Sequence, residues 1–81
     1  MIKKINSEIS MLIVECKSST YKDSENYLCR IGKFTTGKTY DCFHIDEGYL
    51  FFHDDEGIHK VPKLLNELQF SQMFKKLKMI K

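Results

Sequence analysis

Residues 37–62, GKTYDCFHIDEGYLFFHDDEGIHKVP, decide the fold. Three runs within them, Thr39–Ile45, Tyr49–His53 and Ile58–Val61, are rich in the aromatic and β-branched side chains that pack well on a pleated sheet. Between the runs stand Asp46-Glu47-Gly48 and Asp54-Asp55-Glu56-Gly57, each an acidic turn closed by a glycine that can take a positive φ. Three strands joined by two tight turns make a β-meander, so the expected fold class is mainly β.

Outward from the meander, Ile9–Cys16 (ISMLIVEC) reads as a strand, with a short helix as the alternative. Lys17–Asn26 is polar and rich in turn formers, Tyr27–Ile31 is a second short strand, and Gly32–Gly37 is a glycine-bounded loop. Residues 1–8 read as a loose arm. After Val61, Pro62 has no N–H to donate and is expected to end the third strand's ladder. Lys63–Phe70 suggests a helical turn followed by a short closing strand. Phe70, Met73, Phe74, Leu77 and Ile80 then fall at helical spacing, which predicts an amphipathic helix over 71–81 with Ser71 as its N-cap. The expected organisation is an N-terminal extension (1–26), a small β domain (27–70) and that helix.

A chain of 81 residues buries only roughly 60 % of its unfolded surface, enough for one core but not for a cleft between two lobes. Hydrophobic content of 42 %, with four Tyr and six Phe, separates it from disordered chains. The longest purely apolar run, Met11–Val14, is far short of a membrane span, and no signal peptide follows Lys3 and Lys4. Three cysteines, an odd number, point to reduced thiols and a cytoplasmic setting. Charge is segregated: Asp41–His59 holds six acids and no Lys or Arg, whereas Lys60–Lys81 holds six lysines against Glu67 alone. Opposed patches of this kind steer partners.

The segments around Thr35, Gly37, Lys38 and Tyr40, then Tyr49, Phe51, Asp54, Asp55 and Gly57, then Val61, Pro62 and Lys63 resemble small SH3-like barrel proteins of bacteriophages and bacteria. The resemblance covers about half the chain, roughly residues 27–66, and its words are structural rather than catalytic. It implies a compact, non-catalytic binding module in the cytoplasm of a bacterial host and brings no active-site residue with it.

Letter patterns that suggest chemistry lack its context. Gly32-Lys33-Phe34-Thr35-Thr36-Gly37-Lys38-Thr39 fits the phosphate-loop pattern G-x-x-x-x-G-K-[ST], but such a loop needs a helix N-terminus after it and Tyr40–Ile45 is strand-like. Cys16, Cys29, Cys42 and His44 supply zinc ligand types without a C-x2-C knuckle, and each cysteine sits in an expected strand, so no metal is assigned. The turn acids lack EF-hand spacing and the raised-pKa pocket that acid–base catalysis needs. No cofactor is expected.

The expected function is binding. A small phage-type accessory protein would dock on a bacterial host protein, for example a defence or nucleic-acid enzyme, through an acidic face of Asp46, Glu47, Tyr49, Asp54, Asp55 and Glu56. The alternative is nucleic-acid binding through Arg30, Lys33, Lys75, Lys76 and Lys78, with aromatics for base stacking. Against it stand the acidity of the aromatic-bearing meander and the presence of only one arginine. The helix over 71–81 is expected to pack on the core or to pair with its own symmetry mate, and is too short for firm membrane binding.

Overall fold

Residues 9–80, the part of the chain that the computed structural model describes, contain seven strands and one short helix. In order these are β1 (Ser10–Cys16), β2 (Tyr21–Lys22), β3 (Leu28–Cys29), β4 (Thr39–Ile45), β5 (Gly48–Asp54), β6 (Gly57–Leu65), α1 (Glu67–Met73) and β7 (Phe74–Ile80). The arm read over residues 1–8 lies outside the described residues. The five long strands form one antiparallel sheet in the order β6-β5-β4-β1-β7, while β2 and β3 pair as a small separate hairpin. The fold is therefore mainly β. Its sheet keeps two edges, β6 and β7, with no ladder between them among the described residues.

The meander forms where its turns place it. Gly48 and Gly57 take φ of 145° and 115°, values that disfavour a Cβ, and bring β5 back on β4 and β6 back on β5. β1 is not an appendage. It lies inside the sheet, with β4 on one side and β7 on the other, so Leu12 faces both Cys42 and Met79.

One phase of the strands builds the core: Leu12, Val14 and Cys16 on β1, Tyr40 and Cys42 on β4, Tyr49 and Phe51 on β5, Leu65 on β6 and Phe74 on β7. Phe70 and Met73 of α1 and Phe34 of the long loop complete it. Phe34 meets Tyr40, Phe51 and Phe74 edge-on at 5.0, 5.2 and 5.0 Å, the arrangement ring quadrupoles favour.

The helix predicted over 71–81 is a strand over most of its length. Asn66, not Ser71, caps α1: its side chain accepts from the Gln69 amide at 2.8 Å, and Gln69 accepts from the Asn66 amide at 2.8 Å. Ser71 sits inside the helix, donating to the Leu68 carbonyl. At Phe74 the backbone turns extended, φ −135° and ψ 157°, and pairs with β1 from Cys16↔Phe74 to Met11↔Ile80. A continued helix would leave a whole edge of β1 without partners, a cost that outweighs local propensity. The helical stripe ends with Phe74, because Leu77 is 48 % exposed.

Pro62 does not end β6, which continues to Leu65. It lies where the β5–β6 register shifts, on an edge strand, where a missing N–H breaks no ladder bond. The strand expected over Tyr27–Ile31 shrinks to Leu28–Cys29.

Candidate interaction face

The second phase of the strands faces away from the core, and one row across it is apolar too. Ladder register aligns Ile80 with Met11, Met11 with Phe43, Phe43 with Leu50 and Leu50 with Leu64. This row crosses all five strands without a polar residue, and none of its members is buried. Phe52 meets Phe43 edge-on at 5.8 Å and is 40 % exposed. A shallow groove lined by Ile9, Phe43, Ile45, Leu50 and Phe52 opens beside the row, and a second runs from Ile9 and Ile45 to Asp46 and Glu47. On the other side of the row, Asp41 bonds His53 at 2.5 Å. Leu64 and Ile80 at the ends of the row are 44 % and 39 % exposed, and Met11, Phe43 and Leu50 between them are half-buried, an apolar band of the kind that interaction sites use. The sequence carried a signal for it: MLIV and YLFF are apolar in both strand phases, as in strands covered on both faces.

The acidic residues do not form one face. Asp46 and Glu47 are exposed in the β4–β5 turn, whereas Asp54, Asp55 and Glu56 sit at the opposite end of β5, about 20 Å away by strand rise. Tyr49, expected on the contact face, is 1 % exposed. It is stacked between His44 at 4.3 Å and Phe70 at 3.7 Å, and its hydroxyl donates to Glu67. Lys76 lies over the same ring at 5.6 Å.

Asp54 and Asp55 hold the long loop to the meander. Asp54 is 7 % exposed and accepts from the amides of Lys33 and Glu56 at 3.0 and 2.8 Å. Burial works to raise its pKa, but those amides and His59, whose Nε2 lies 3.1 Å away, outweigh burial and leave it lowered. Asp55 accepts from the Thr35 hydroxyl at 2.5 Å, the Lys38 ammonium at 2.9 Å and the Tyr40 hydroxyl at 2.8 Å, which together hold its carboxyl down to about 2. The Tyr40 oxygen in turn accepts from the Thr35 amide. The phosphate-loop letters thus have a structural use: Thr35 and Lys38 are occupied by a carboxylate, and Thr39 opens a strand, not a helix. Glu56 pairs at 3.9 Å with Lys33 across the surface.

The basic candidates are also divided. Lys75, Lys76 and Lys78 lie on edge strand β7, with Lys75 paired to Glu15 at 3.9 Å, whereas Arg30 and Lys33 belong to the loop before β4. Cys16 and Cys42 are in the core, where burial pushes the Cys42 thiol up to about 12, and Cys29 is in the small hairpin. No three His, Cys, Asp or Glu side chains gather as a metal site among the described residues. Nor is any helix among them long and apolar enough to cross a membrane. No protein-family model matches the chain, and no curated protein or solved structure matches it either.

Proposed function

We propose that this protein is a non-catalytic binding module that docks on a polypeptide through the outer face of its sheet. The observation that carries the reading is the unbroken row Ile80-Met11-Phe43-Leu50-Leu64. The edges argue for the face as well. β7 carries Lys75, Lys76 and Lys78, and β6 carries Lys60, Pro62 and Lys63, the residue types that discourage strand addition. A partner therefore meets the sheet on its flat side, with Asp46 and Glu47 at the margin to select basic groups.

The sheet order, with a long loop after the first strand, a meander, a short helix and a last strand returning to β1, supports reading the domain as SH3-like. The resemblance of residues 27–66 to small phage barrels extends the proposal to a bacterial host protein whose activity is modulated by docking. Exposed lysines along β7 favour a second reading, nucleic-acid binding, although Asp41, Asp46 and Glu47 share the adjoining surface.

Affinity capture from bacterial lysate, with and without nuclease, separates these readings. The tagged bait is compared with its Phe43→Lys variant, with an untagged copy co-expressed. A stoichiometric polypeptide that survives nuclease and is lost with Phe43→Lys is the expected result. Capture abolished by nuclease and indifferent to Phe43 refutes the polypeptide reading in favour of nucleic acid.

A further inference from the structure

We infer that the occupant of the outer face is a second copy of this chain, packed face to face in a two-fold dimer. The inference rests on the reading of that face as a contact surface and adds its partner. The apolar row spans five strands, about 19 Å at the usual strand spacing. The two margins of the row differ in charge: one ends in an acidic turn, and the other carries the cations Lys78 and Lys75 beside Asp41 and Glu15. Beyond Ile45 on one side is the turn of Asp46 and Glu47. Away from Ile80 on the other side, β7 presents Lys78 and then Lys75.

Lys75 is already paired with Glu15, and Asp41 is hydrogen-bonded to His53. Lys78, Asp46 and Glu47 make no ion pair among the described residues. By register, the acidic turn lies three positions beyond the row on one side and Lys78 two positions on the other, so the midpoint between them falls close to the row, between Met11 and Phe43. A two-fold axis through that midpoint, in the plane of the interface, lays the apolar row of one copy across that of the other. It also sets Glu47 against Lys78 twice. That is the self-complementary pattern an isologous contact requires. The guarded edges disfavour the commoner strand-to-strand dimer. A face this small belongs with the weaker, reversible interfaces.

Sedimentation equilibrium of the full chain from about 1 to 500 µM, a range set to span weak, reversible association, is the test. Concentration-dependent dimer is expected, with Phe43→Lys monomeric throughout. Should that variant fail to fold by circular dichroism, Phe52→Lys, at a side chain 40 % exposed, replaces it. Glu47→Lys and Lys78→Glu should each weaken the dimer roughly tenfold, and the double variant should recover most of the loss. A wild-type chain that stays monomeric overturns the inference, as does a dimer untouched by Phe43→Lys and Phe52→Lys or a double variant weaker than either single one. A monomer that retains a different protein from lysate through Phe43 overturns only the second copy. A monomer whose face retains nothing overturns the binding-module reading as well.

Discussion

Replacing Gly48 with alanine tests the hinge of the meander against an internal control. Gly48 and Gly57 both take positive φ, 145° and 115°, so alanine at either meets a backbone penalty of about 1–2 kcal/mol. Their surroundings differ. A Cβ at Gly57 meets nothing within 4 Å, whereas one at Gly48 falls 2.3 Å from the Leu65 carbonyl oxygen, with the Leu65 carbonyl carbon and Asn66 Cα behind it. Real Cβ atoms stay at least 3.0 Å from such neighbours, so the backbone at Leu65 must retreat by the remaining 0.7 Å. Leu65 is fully buried opposite Tyr49, and Asn66 caps α1, so the retreat loosens a ladder end, a core side chain and a helix cap together. Losing a hydrogen bond or two and part of Leu65's packing adds about 2–3 kcal/mol. The expected totals are about 3–5 kcal/mol for Gly48→Ala and about 1–2 for Gly57→Ala. For a domain of this size the difference is a melting temperature lower by roughly 10–25 °C. Urea titration followed by far-ultraviolet circular dichroism measures both. If the two variants agree within about 1 kcal/mol, the close approach of β6 to Gly48 is not as described and the argument fails.

Two further expectations use single groups. Because Thr35, Lys38 and Tyr40 hold the Asp55 carboxyl down to about 2, below its ordinary 3.8, the unfolded chain takes up that proton before the folded one. The contribution is full above the ordinary value and disappears as pH falls through about 2, so the urea midpoint should drop across that window. Asp55→Asn should flatten that part of the profile, and a variant whose acid limb is as steep as wild type sinks the assignment. Cys29 should react with iodoacetamide in the native state, whereas Cys16 and Cys42, each 1 % exposed, should label only as fast as the core opens. Mass spectrometry showing prompt labelling of Cys42 contradicts its placement.

The meander was legible because its signals are local: apolar strands, acidic turns and glycines at Gly48 and Gly57 need no knowledge of the rest of the chain. The segment after it was not. Phe70, Met73 and Phe74 are all core, and their spacing suits a helix, but Phe74 is buried as the first residue of a strand. What converts 74–80 to a strand is an open edge on β1, some sixty positions earlier, which no window around Phe74 contains. The partners of the acidic residues were hidden for a related reason. Counting charges located the acids but not their partners, and Asp54 and Asp55 turned out to bind the loop before β4. The outer row was written in the two-phase apolar strands, but recognising it required the register that aligns five of them.

The position of β1 between β4 and β7 has a consequence in time. Ile13 pairs with Asp41 and with Lys78, twenty-eight and sixty-five positions away along the chain. Contacts that distant make folding slow for so short a protein, in the millisecond-to-second range of high-contact-order β domains. During synthesis at about 5–20 residues per second, β1 leaves the ribosome roughly 3–13 s before the strand that covers its second edge. For those seconds MLIV has an unpaired border and two apolar faces. Until Phe74–Ile80 arrives, that border is open to mispairing with other chains.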